Sequence, residues 1–188
     1  MTRAKMAATL AAMGLATLGL AACKDKVPDG NTSVAAADQP SMLDALGDAK
    51  GVGATSRMVK QAGLDRMFGG AGSYTLFAPT DAAVAALPEA DRQRLESADG
   101  RPQLVALLRQ HIAPGYIGLA DINQGLARKD GTVQLATVGG QPLTLRKQGE
   151  AIVVGSGADA PRLVGQPVAT RNGVIFPIDR VLPPPSVK

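Results

Sequence analysis

The hydrophobic period changes part-way along the chain. From Ser41 to Ile112 apolar residues recur every third or fourth position. From Gly131 to Leu182 they fall in short runs divided by glycine and asparagine. Helices first and strands later make an α+β domain the expected class, in place of the alternating units of a parallel α/β sheet. Three Phe, two Tyr and no Trp leave the core to aliphatic side chains. The same scarcity argues against an aromatic-lined sugar groove or a base-stacking platform. The length of 188 residues suits one domain with a tail, and the 45% hydrophobic content excludes disorder throughout.

In the helical half, Ser41 is placed to cap a helix carrying Met42, Leu43 and Leu46. A second helix is expected over Ser56–Met67. Ser73–Ala78 reads as a strand, ended by Pro79-Thr80-Asp81, where Thr80 or Asp81 can cap the next helix. That helix ends at Pro88, and Glu89–Ser97 reads as a short solvated one. Gln103–Ile112 is a strong helix with Leu104, Leu107, Leu108 and His111 on one face. In the second half, strands are expected over Gly131–Thr137, Pro142–Lys147, Glu150–Val154 and Val174–Leu182. Gly139-Gly140, Gln148-Gly149 and Asn172-Gly173 are the expected turns. Pro177 inside the last strand points to an edge or a bulge.

The first 22 residues form an address. Arg3 and Lys5 precede an uncharged apolar run from Met6 to Ala22, the pattern of a secretory signal. Leu20-Ala21-Ala22-Cys23 resembles the lipobox of bacterial lipoproteins, and Cys23 is the single cysteine of the chain. The resemblance implies cleavage before Cys23 and membrane attachment through lipid on its thiol, because more than one acyl chain makes a durable anchor. Lys24 beside it implies an outer-membrane lipoprotein, facing either the periplasm or the cell surface. Residues 23–40 then form a small, polar tether that reaches roughly 55 Å when extended. Residues 41–184 form the folded domain and 185–188 a tail. Without the first 22 residues the chain has 18 basic and 16 acidic residues, a balance that excludes a nucleic-acid footprint.

Three motifs carry a family resemblance. Tyr74-Thr75-Leu76-Phe77-Ala78-Pro79-Thr80-Asp81 and the alanine-rich run behind it resemble the first signature motif of fasciclin domains. Leu107–Gly115, with His111 at its centre, resembles the family's central segment. Asn172-Gly173-Val174-Ile175-Phe176-Pro177-Ile178-Asp179 resembles its second motif. The resemblance implies a compact β-sandwich wedge with a helical layer on one side. It also implies a non-catalytic role in adhesion, through an unknown protein or glycan partner. Gln110 stands where the family usually has an aromatic, and Phe176 where it commonly has a histidine. Pro167-Val168 stands where some animal adhesion members have an Asp-Ile pair that looks like their integrin contact, so the resemblance does not imply integrin recognition here.

Candidate site residues are few. One His and one Cys exclude a disulfide framework, a Cys/His zinc site and any site with two His ligands. No metal, cofactor or catalytic set is expected, and the chain does not read as an enzyme. His111 is expected to be partly buried and bonded to backbone, favoured by the helix C-terminus. Thr80, Asp81, His111, Asn172, Gly173 and Asp179 are read as structural positions, Asp179 bonding backbone or a loop. Contact residues are expected in the loops: Tyr116, Asp121 and Ile122 in one, Pro167 and Val168 in another. Tyr116 is favoured because tyrosine is a frequent interface anchor. A periplasm-facing binding module for a small or polymeric ligand is the alternative function.

Overall fold

A computed structural model describes residues 39–183. The expected signal, Cys23, the tether before residue 39 and the 185–188 tail lie outside the described residues. The helices are α1 (Met42–Asp48), α2 (Gly53–Ala62), α3 (Asp65–Gly69), α4 (Asp81–Ala85), α5 (Glu89–Glu96), α6 (Arg101–Gln110) and α7 (Leu119–Leu126). The strands are β1 (Tyr74–Pro79), β2 (Ile112–Pro114), β3 (Thr132–Leu135), β4 (Leu143–Gln148), β5 (Ala151–Val154), β6 (Val168–Thr170) and β7 (Gly173–Ile178). One sheet has the order β2-β1-β7-β6 and the other β3-β4-β5.

The mixed sheet is the middle layer. β1 and β7 run parallel, from Tyr74 beside Gly173 to Pro79 beside Ile178. Both are apolar without alternation because both their faces are covered. Leu76, Ala78 and Ile175 face a core shared with Met42, Leu46, Val59, Leu104 and Leu108 of the helices. Phe77, Val174, Phe176 and Ile178 face a second core with Leu143, Leu145 and Val154 of the antiparallel sheet. Neighbouring strand residues point to opposite faces, so one strand feeds two cores. Phe77 and Phe176 stack at 5.7 Å across the β1–β7 pair. The result is an α+β fold, a β-sandwich with a helical layer.

Several boundaries differ from the sequence reading. The helix expected over Ser56–Met67 breaks at Gly63, which takes φ +73° and closes α2 with a left-handed residue. Ile112, expected to end a helix, begins β2 instead. β2 and β6 are three residues each, too short to leave a periodic signal. The loop that the sequence suggests over Tyr116–Ile122 runs into α7 from Leu119 onward. Its start lacks a capping side chain in the sequence, since Gly118 precedes it, and Asp121 Oδ2 accepts from Gly118 N at 2.8 Å. β7 ends at Ile178, short of the expected Leu182.

Pro177 is a further correction, because β7 is an interior strand. β6 covers β7 only from Gly173 to Ile175. Beyond that point the Pro177 carbonyl accepts from Val164 N at 2.9 Å. Its nitrogen faces the same side, where no ladder bond requires a donor, so the ring is tolerated.

The Pro79-Thr80-Asp81 corner joins β1 to two helices. Thr80 Oγ1 caps α4 by accepting from Ala83 N at 3.2 Å. Asp81 caps a different helix: its Oδ1 accepts from Ala54 N in the first turn of α2 at 2.6 Å. Thr55 Oγ1 returns a bond to Pro79 O at 2.7 Å. Asp81→Ala is expected to cost about 1–2 kcal/mol, the ordinary value of a lost cap. Asp81→Asn is expected to lose less, because one oxygen acceptor remains. Thermal melts of the two variants check this order.

Candidate functional site

Parallel β1 and β7 give the mixed sheet a common starting end and a common finishing end. At the starting end Asn172 joins three segments. Its Oδ1 accepts from Met42 N at 2.8 Å, and its Nδ2 donates to Phe68 O at 2.8 Å and Gly70 O at 3.3 Å. The turn expected at Asn172-Gly173 falls one residue earlier. Arg171 and Asn172 form the loop, and Gly173 pairs with Thr170 as the first residue of β7. Gly173 is small because a Cβ there would collide with Tyr74 O and Met42 Cε. Arg171 N donates to Pro40 O at 3.1 Å, so the described chain joins the fold at this end.

Tyr116 lies at the same end. Gly115 N donates to Ser73 O at 2.8 Å, and Thr75 Oγ1 donates to Gly115 O at 2.9 Å while accepting from Ile117 N at 3.0 Å. These bonds fix the loop and hold Tyr116 outward, 49% exposed, with Leu119 36% exposed close by on α7. They are the exposed large hydrophobic residues among the described residues. Asp121 is exposed and occupied by its cap. Ile122, expected on the contact surface, is fully buried in the second core because it is the inward position of an amphipathic helix. Pro167 and Val168 are half-buried at the β6 edge, with Val168 packed against the helical core. β2 and β6 are the opposite edges of the sheet, so the structure does not bring the two expected contact groups together.

His111 ends α6, directly before β2. It was expected to be partly buried, but its exposure is 0%. Its Nε2 lies 3.0 Å from Leu182 N and must accept, so Nδ1 carries the proton and donates to Leu107 O at 2.8 Å. Both bonds suit the neutral ring. Burial lowers its pKa to about 4 against a small raising effect from the Leu107 bond, so the expected gain from a charged ring at the helix end is absent.

The finishing end opens into a groove of about 1480 Å³ between α4, the 139–144 and 155–161 segments and the chain after β7. Asp179 Oδ1 accepts from Arg162 N at 2.7 Å at its rim, and Arg180 pairs with Asp159 at 2.7 Å. Gln110, at the end of α6, borders it and is 6% exposed, with Nε2 unpartnered. Neither the groove nor Gln110 was legible as a site, since its walls come from five separated stretches of sequence. Among the described residues, no group of three or more His, Cys, Asp or Glu side chains is arranged to hold a metal ion.

The sequence profile of the fasciclin domain matches residues 50–184. The chain belongs to the fasciclin domain family. A fasciclin domain is in general a non-catalytic adhesion or binding module. The chain is 28% identical over 175 residues to protein sll1483 of the cyanobacterium Synechocystis, covering 93% of this chain and 91% of that protein. It is 34% identical to the immunogenic protein MPB70 of Mycobacterium bovis, over 61% of this chain and 52% of that one. Mouse stabilin-1 is 32% identical over 70% of this chain, which spans only 5% of stabilin-1. The fold also matches a fasciclin domain pair from the insect cell adhesion molecule fasciclin I. There the TM-score is 0.66 and the identity 21%, over 76% of this chain and 50% of that one. In this fasciclin domain the three signature motifs are the β1–α4 corner, the α6–β2 junction with His111, and β7. All three meet in the middle sheet, which explains why they are read together.

Proposed function

We propose that this chain is an envelope lipoprotein whose fasciclin domain serves non-catalytic adhesion or interaction with a protein or glycan partner. Tyr116 and Leu119 are the observation that carries the reading. Tyr116 stands outward on a loop fixed by three backbone-directed bonds and Leu119 is exposed at the start of α7, while the other large apolar side chains among the described residues are buried or half-buried. A rigid aromatic anchor loses little entropy on binding and is typical of interface centres. Similarity to parts of stabilin-1 and of an insect cell adhesion molecule supports the class of function. In this reading, lipid on Cys23 holds the chain at the outer membrane and the following segment gives it reach. The groove at the finishing end favours a second reading, a periplasm-facing binding module.

Protease shaving of intact cells, with a periplasmic protein as leakage control, separates the two. Loss of the domain supports adhesion. Protection until the outer membrane is opened rejects a direct intercellular role and leaves the binding module. Cys23→Ser is expected to move the chain from the membrane pellet to the soluble fraction. The Tyr116→Ala, Leu119→Ala double variant is expected to lower cell attachment at least tenfold while its melting temperature holds. Attachment equal to the parent's would reject this surface.

A further inference from the structure

We propose that the outward face of α7, with Tyr116 and Leu119 at its start, is a self-docking surface that takes α7 of a second copy of this chain, antiparallel about a twofold axis. The proposal rests on the reading of Tyr116 and Leu119 as a contact surface, and it names the partner. α7 packs on the antiparallel sheet by one side. Ile122 and Leu126 are buried there, and Gly125 lies so close to Val133 that a Cβ would collide with its Cγ2. At about 100° per residue, Ala120 and Ala127 fall on the opposite side of the helix, and both are exposed. Small side chains on that ridge let the axis of a second helix come close. Leu119 extends the ridge toward the fixed loop that carries Tyr116.

The charges of the helix decide which partner fits. Asp121 lies in the first turn of α7 and Arg128 just past the last. Arg128 N donates to Gly125 O at 3.2 Å, so the chain still turns there. The two side chains are therefore two turns apart on one flank of the alanine ridge. Asp121 uses Oδ2 for Gly118 N, and its Oδ1 has no partner among the described residues. Arg128 forms no ion pair among the described residues. Lys129 and Asp130 follow it and offset each other in charge. A twofold axis beside Gln124 sets Asp121 of each copy against Arg128 of the other, and Ala120 against Ala127. It also opposes the two helix dipoles. A contact of this symmetry needs one patch that complements itself, and an acid at one end with a base at the other meets that need. Parallel pairing would bring like charges together. Each Tyr116 then points toward the 127–131 turn of the other copy. An eight-residue helix and one loop offer less area than the roughly 1,200–2,000 Å² of a stable complex, so the pairing is weak, with a Kd on the order of 0.1–1 mM.

The test is sedimentation equilibrium of the full chain in density-matched detergent, up to about 1 mM. A reversible monomer–dimer equilibrium is expected. Asp121→Lys and Arg128→Glu are each expected to weaken it about tenfold, because each sets like charges together twice per dimer. An equimolar mixture of the two variants is expected to associate like the parent, since the reversed charges then match across the pair. Recovery on mixing cannot come from a damaged fold. If Asp121→Lys fails to fold for want of its cap, Ala127→Arg, at an exposed position of the ridge, takes its place and is expected to abolish the dimer. The proposal is overturned if the parent stays monomeric at the highest concentration, if the folded variants associate like the parent, or if the mixture of folded variants shows no recovery. Attachment of the Tyr116→Ala, Leu119→Ala variant is read separately. Attachment lost while the parent is monomeric overturns self-docking and leaves the surface to a foreign partner. A dimer with unchanged attachment supports self-docking and rejects the adhesive role.

Discussion

Gly173→Ala will lower the stability of the domain by about 3 kcal/mol, a large share of the roughly 5–15 kcal/mol that holds an ordinary domain together. The cause is a clash rather than a lost conformation. Gly173 sits beside Tyr74 in the parallel β1–β7 pair, where a Cβ would meet the Tyr74 carbonyl oxygen and Met42 Cε. The carbonyl belongs to the strand and cannot turn away. Met42 is fully buried, and its backbone amide is held by Asn172 at 2.8 Å. Relief therefore requires moving α1 or parting the two central strands. Urea unfolding of the variant should show a midpoint far below the parent's with a similar slope. A midpoint within error of the parent's would mean that β1 and β7 are not held at this spacing in solution.

Acid will destabilise the domain through His111, across the window from pH 6.5 down to about 4. The ring has its ordinary pKa of 6.5 when unfolded and about 4 when folded, because burial disfavours its charge. The unfolded chain therefore binds the proton first as pH falls. The stability tied to the neutral ring is fully present above pH 6.5, is lost progressively below it, and changes no further once the folded ring also protonates. The shift corresponds to about 3 kcal/mol. Protonation would also place a second donor against Leu182 N, breaking the 3.0 Å bond. His111→Gln removes the titration. Its unfolding free energy should depend less on pH over this window than the parent's, with the difference close to the figure above. At pH 7 the variant should be less stable by about 2–4 kcal/mol, since Leu182 N and Leu107 O lose a matched partner. Parallel pH curves for the two proteins would show that the ring is not buried as a neutral base.

The local elements were largely legible where they obey one period for long enough. α6 shows Leu104, Leu107 and Leu108 on one face, and these are its buried apolar residues. β1 and β7 stand out as apolar runs between turn residues. β2, β6 and α7 did not stand out, because a three-residue strand has no period and α7 begins without a capping side chain. Asp81 shows the limit of local reasoning. Thr80 caps the helix that follows it, as its spacing allows. Asp81 serves a helix 27 residues earlier, which no local pattern encodes.

Sequence alone determined the class of this protein. The change of period set α+β, the scarcity of aromatics set an aliphatic core, and three motifs in order marked a fasciclin domain. Those features are local, and hydrophobic spacing, turn chemistry and capping act within a few residues. The tertiary structure decided what those residues face. It buried Ile122 and left Tyr116 outside, made β7 a central strand despite Pro177, and closed both nitrogens of His111 onto backbone. It also assembled a groove from segments as distant as Ala83 and Pro183 and left Gln110 Nε2 without a partner there. Such properties depend on which surfaces the packing of three layers brings into contact, and contacts across long stretches of chain leave no periodic trace in the sequence.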